Sequence, residues 1–117
     1  MNDKFLSLLG MARRCGKISL GHDAVISSVV KNKAKLVILS SEASERLQRE
    51  IRHACTYDGK NIPTLLTEYT TAELSSAVGS KAAVMSLDDE GFARSAQDKV
   101  SAADTTLKSV PTERNDY

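Results

Sequence analysis

Apolar positions along this chain recur at two alternating periods. Phe5, Leu8, Leu9 and Ala12 fall at helical spacing, so residues 3–14 are predicted as a first helix. Cys15-Gly16 closes it, with Arg13 and Arg14 at the negative end of its dipole. Residues 17–20 alternate polar and apolar, the pattern of a short strand. After Gly21, two pairs four apart (Val25/Val29 and Ile26/Val30) predict a second helix over 22–32. Its β-branched residues make it depend on packing more than on propensity. Leu36-Val37-Ile38-Leu39 is a continuous apolar run, as expected of a strand covered on both faces.

The second half repeats the alternation. Ala43, Leu47, Ile51 and Ala54 form one helical stripe, with Arg46, Arg49 and Arg52 off it. A turn cluster over 57–61 leads to a third strand at 62–66, with Pro63 at its entrance, where a missing N–H does little harm. Thr70 and Glu73 have capping-box spacing and open a fourth helix, which buries Leu74, Ala77 and Val78 and stops at Gly79. Residues 82–87 read as the fourth strand. Asp88 is the expected cap of a fifth helix that buries Phe92, Ala96 and Val100, and its spacing reaches Ala103 and Leu107 before Pro111.

Helices and strands that alternate with short connections imply α/β architecture: a three-layer α/β/α sandwich around a four-stranded, at least partly parallel sheet. At 117 residues one domain is expected, over 1–108, with a polar tail at 109–117. Its composition, 41% hydrophobic and 26% charged, excludes a disordered or collagen-like chain, and no apolar run approaches a membrane span. Aromatics at 4% and the absence of Trp argue against a base-stacking module. Two cysteines without metal-ligand spacing and an N-terminus unlike a signal peptide point to a reducing cytoplasm and to no metal or other cofactor. A monomer is expected.

Catalytic chemistry finds little to rest on. His22 and His53 are the only neutral-pH bases, and His53 reads as a surface residue of the third helix. A Cys15–His22 dyad has no sequence feature that brings its members together. Asp88-Asp89-Glu90 is explained by a helix N-terminus. Phosphate-binding glycine motifs are absent, and a receiver domain would need an acid directly after Leu39, where Ser40-Ser41 stand.

Charge gives more. Residues 1–60 carry eleven Lys and Arg against six Asp and Glu, and residues 61–117 carry five against nine. Such asymmetry suggests a polyanion surface built from the first half. Arg13, Arg14 and Lys17 lie near Lys31, Lys33 and Lys35 in the predicted order, and the helix start at Gly21-His22-Asp23 offers free N–H groups to a phosphate or base edge. Charge alone fits a solvated face equally well.

A resemblance narrows the choice. Gly16-Lys17-Ile18-Ser19-Leu20-Gly21, Val25, and Ala34-Lys35-Leu36-Val37-Ile38-Leu39 resemble the kink-turn RNA-binding ribosomal protein superfamily of the L-seven-Ae type. Glu73-Leu74, Ala77-Val78-Gly79 continue that likeness. Met11 to Lys17 and Asp89 to Ala93 resemble its short bacterial, YlxQ-like branch. The match runs over about residues 4–97 in register. It implies an α/β/α sandwich, no catalysis, and binding to kink-turns in structured RNA, ribosomal RNA included. In that family the turn glycine lets backbone approach RNA, and an Asn, a Glu and a Lys on the helix that follows recognise it. Here Gly21 matches the glycine, while Asp23, Ala24 and Ser27 stand where Asn, Glu and Lys are usual. His22 lies between them. Lys17, Lys33 and Lys35 are the cations that would neutralise phosphate. Ser80, Lys81, Ala82 and Ala83 match the loop that covers the flipped-out nucleotide. A second reading stays open: a module that has lost kink-turn contacts and docks the ribosome or a translation or transcription factor, through the Arg46, Arg49, Arg52 face or the last helix. An enzyme accessory domain is a third.

Overall fold

The computed structural model describes residues 3–103. Its elements are α1 (Lys4–Arg14), β1 (Ile18–Leu20), α2 (His22–Val30), β2 (Leu36–Leu39), α3 (Glu45–Thr56), a 3-10 turn at Tyr57–Gly59, β3 (Thr64–Leu66), α4 (Thr71–Val78), β4 (Val84–Leu87) and α5 (Glu90–Ala103). The expected continuation to Leu107 and the tail over 109–117 lie outside the described residues, as does the Val100 side chain.

The sheet order is β1-β4-β2-β3. β2 and β3 are parallel, with Val37 opposite Thr64. β4 runs antiparallel to both β1 and β2, placing Leu87 between Ile18 and Leu36, and Met85 between Leu20 and Ile38. Alternation along the two central strands splits the core into two faces. Leu36, Ile38, Met85 and Leu87 pack with Phe5, Leu8 and Leu9 of α1, Leu74 and Val78 of α4, and Ala93 and Ala96 of α5. Val37, Leu39 and Val84 pack with Val25 and Val29 of α2 and Ile51 and Cys55 of α3. The apolar run in β2 is therefore buried at every position, as a strand covered by helices on both faces must be.

Local signals set several ends: the capping box and glycine stop of α4 are as expected, and α1 gains a cap at Asp3, one residue inside its expected span. The Asp3 carboxylate accepts from Leu6 N–H and caps α1. Thr70 and Glu73 form the reciprocal capping box of α4, which ends at Gly79 in the left-handed conformation. Gly10 lets α1 and α4 approach closely: a Cβ there would lie 3.0 Å from the Ala77 carbonyl oxygen.

Other expectations are corrected. The cap of α5 is Asp89, whose Oδ2 accepts from Phe92 N–H at 3.0 Å. Asp88 instead takes hydroxyls from three elements: Ser19 of β1 on Oδ2 at 2.6 Å, and Ser28 of α2 and Ser86 of β4 on Oδ1, each at 2.8 Å. It pins α2 to the sheet. α2 stops at Val30 rather than residue 32, because Asn32 adopts φ 63, and Val30 is 63% exposed rather than core. β3 and β4 each begin two residues later than expected.

Candidate nucleic-acid interface

The turn between β1 and α2 starts from one hydrogen bond: Gly21 N–H donates to the Val84 carbonyl at 2.9 Å, extending the β1–β4 ladder by a step. Gly21 then turns the chain at φ 90 and ψ 163, a conformation essentially reserved for glycine. It supplies no side-chain cap, so the first N–H groups of α2, at His22, Asp23 and Ala24, have no acceptor within the helix. A Cβ on Gly21 would meet nothing within 4 Å, so the backbone there is open to approach.

The α4–β4 loop lies beside this turn. Ser75 Oγ accepts from Ala82 N–H at 3.0 Å and holds the loop, and Ala82 is buried. The Ala83 carbonyl accepts from Ser40 N–H at 2.9 Å, next to the Val84–Gly21 bond. Gly21 to Ala24 and Ser80 to Ala83 therefore share one end of the sheet. His22, Asp23, Ala24 and Lys81 are exposed there, and Ser27 is half-buried a turn further along α2.

The electrostatics of this end are mixed. His22 Nδ1 is 3.0 Å from Asp23 Oδ1, and Nε2 is 3.1 Å from Glu50 Oε1 on α3. Arg46 Nε donates to the other Glu50 oxygen at 3.2 Å. The Asp23 hydrogen bond, with help from the Glu50 charge and against slight desolvation, holds the His22 pKa above its ordinary value. Both ring nitrogens are engaged, and Cys15 lies at the far side of β1, so no Cys15–His22 dyad forms. Burial raises the pKa of the Cys55 thiol, with a partly offsetting hydrogen bond to Thr64, and both cysteines are free. His53 is exposed on α3, as expected.

Lys17, Lys33 and Lys35 are elsewhere. Lys35 N–H donates to the Leu87 carbonyl, and the Lys17 carbonyl accepts from Asp88 N–H, each at 2.8 Å. Lys33 follows α2, its N–H bonded to the Ser28 carbonyl. Gly21 adjoins one end of β4 and these lysines adjoin the other, roughly 10 Å away along the strand. Lys17, Lys33 and Lys35 are brought together with one another and not with the Gly21 turn. Sequence reasoning did not place Glu50, Ser40 and Glu42 at the Gly21 end, and it offered Arg46 only as part of a docking face on the third helix. Glu42 Oε1 accepts from Thr71 N–H and Ser40 Oγ bonds Thr71 Oγ1, each at 2.9 Å. These partners come from segments some thirty residues apart, and no local pattern signals them.

A sandwich with this turn and loop matches known proteins. The model for the ribosomal protein L7Ae/L30e/S12e/Gadd45 family covers residues 3–96. The chain belongs to that family. RNA-binding protein YlxQ of Bacillus subtilis (strain 168) is 33% identical over 91 residues, 77% of this chain and 88% of that protein. RNA-binding protein YlxQ of Enterococcus faecium is 28% identical over 97 residues, 83% and 91% of the two chains. A solved structure of a protein of unknown function from Bacillus halodurans superposes at a TM-score of 0.78 with 29% identity, over 85% of this chain and 98% of that one. The Giardia lamblia 15.5kD RNA binding protein shares the fold at a TM-score of 0.67 with 19% identity, over 92% and 93%. No helix among the described residues of this L7Ae-family chain is long and apolar enough to cross a membrane.

Proposed function

We propose that this L7Ae-family chain is a small, non-catalytic cytoplasmic protein that binds structured RNA, with the kink-turn or a related bend as its target. The observation that carries the reading is the open Gly21 turn beside the Ser80–Ala83 loop, in a chain related to two proteins named for RNA binding. Bare N–H groups at a helix start attract phosphate or a base-edge acceptor. The exposed Asp23 carboxylate accepts from a guanine amino group in a widened groove. Ala24 and Ser27 supply neither the carboxylate nor the cation usual at those positions, so recognition rests on Asp23, the backbone and the loop.

The second reading, docking to a protein of the translation or transcription machinery, is favoured by one observation. Asp23, Glu42 and Glu50 crowd the end where RNA would sit, and acids repel phosphate.

Titration against a kink-turn RNA and a matched straight duplex at low and moderate salt separates the two. RNA recognition is expected to give tighter kink-turn binding that persists as salt rises. Equal, steeply salt-dependent binding to both RNAs would leave only a basic surface, and binding to neither would favour the docking reading.

A further inference from the structure

We propose that the sheet end opposite the Gly21 turn is itself a surface for RNA backbone, separate from that turn. The proposal rests on the reading above only in taking the polyanion to be RNA.

Four strand ends meet there in the order β1-β4-β2-β3. Lys17 precedes β1, Lys35 precedes β2 and Lys60 precedes β3, so three cations line a front of roughly 15 Å, three strand spacings. Lys33 joins them from the end of α2. Between β2, β3 and α5 this front opens into a cavity of about 450 Å³, lined by Asn32, Lys35, Lys60, Asn61 and Arg94 with Glu90 and several apolar groups. Lys60 Nζ donates to Asn32 Oδ1 at 2.6 Å, which fixes the ammonium at the cavity wall.

Three of the acids at this end are occupied, while Asp58 stands exposed in the turn before Lys60. Asp88 spends both oxygens on three serine hydroxyls, and Asp89 caps α5. Glu90 faces Arg94 at 3.6 Å, an exposed pair that a phosphate can displace. Lys17, Lys33 and Lys35 have no ion pair among the described residues. Unpaired cations in a row, interleaved with amide side chains, suit a phosphate–sugar backbone more than a compact anion. The opposite end differs, because Asp23, Glu42 and Glu50 stand there with Arg46 and the exposed Lys81. Attraction to phosphate is thus concentrated away from the helix start.

The test measures affinity for a kink-turn RNA and a short straight RNA duplex from about 50 to about 200 mM salt. It compares the full chain with Lys33→Glu/Lys35→Glu/Lys60→Glu and with Ala24→Tyr, which blocks the Gly21 end without changing charge. A neutral set, Lys33→Gln/Lys35→Gln/Lys60→Gln, guards against loss of fold in the reversed one. Both lysine sets are expected to bind either RNA at least about tenfold more weakly. They are also expected to lower the slope of log affinity against log salt by about two to three, with the preference between the RNAs kept. Ala24→Tyr is expected to lower the preference and leave the slope.

Unchanged affinity and slope in both lysine sets overturns the second surface, including the case in which that end holds a protein instead. If Ala24→Tyr changes nothing while the lysine sets act, the Gly21 reading fails and this one stands. Wild-type protein that binds neither RNA overturns both.

Discussion

Gly21 and His22 carry opposite constraints at adjacent positions. Gly21 holds a backbone conformation that L side chains rarely adopt, yet a Cβ there has free space. Gly21→Ala is therefore expected to cost about 1–3 kcal/mol from backbone strain alone, seen as a lower denaturation midpoint. An unchanged midpoint would mean that the turn relaxes without penalty. His22 is tuned by its neighbours. Its pKa is raised above 6.5 in the folded chain, first by Asp23 and then by Glu50. The bonded, protonated form thus contributes stability that is fully present below pH 6.5 and is lost as pH rises through the folded value. The side chain is 47% exposed, so the effect on global stability is small. An NMR titration is expected to show His22 losing its proton above 6.5, and Asp23→Asn is expected to lower that value. A wild-type value at or below 6.5 would contradict the bonded geometry.

At the scale of elements, helix and strand periods were legible wherever a face had one partner. β2, the Thr70–Glu73 box and the Gly79 stop follow from residues within a few positions of each other. Asp88 shows what was not legible. Its position before a helix resembles a cap, but its three partners come from β1, α2 and β4, up to 69 positions away. The neighbouring acid takes the cap instead. Likewise, the alternation of elements implies crossovers but does not say that β4 inserts between β1 and β2 in the opposite direction. Because β1 and β2 run in the same direction on either side of β4, Lys17, Lys33 and Lys35 lie at the end opposite Gly21. If Asp88 pins α2 to the sheet, Asp88→Ala leaves three partly buried hydroxyls without their acceptor. A loss of ~3 kcal/mol is expected by denaturant unfolding. A loss under ~1 kcal/mol would show that the serines find other partners.

For the whole molecule, the sheet sets the layout of charge. Its parallel-running β1, β2 and β3 deliver the starts of α2, α3 and α4 to one end and Lys17, Lys35 and Lys60 to the other. The net charge of +1 conceals this polarity, and so does the division of the sequence into halves, because each end draws on both. The family resemblance identified the Gly21 turn and the Ser80–Ala83 loop as partners, and the β1–β4 ladder is the physical reason they meet. The central claim is that this meeting point touches RNA. Its most direct test is to add a kink-turn RNA to isotope-labelled protein and follow the backbone amide NMR signals. The largest shifts are expected at Gly21 to Ala24 and at Ser80 to Ala83, weaker with a straight duplex. Shifts confined to other faces, with those eight amides unmoved, would contradict the account.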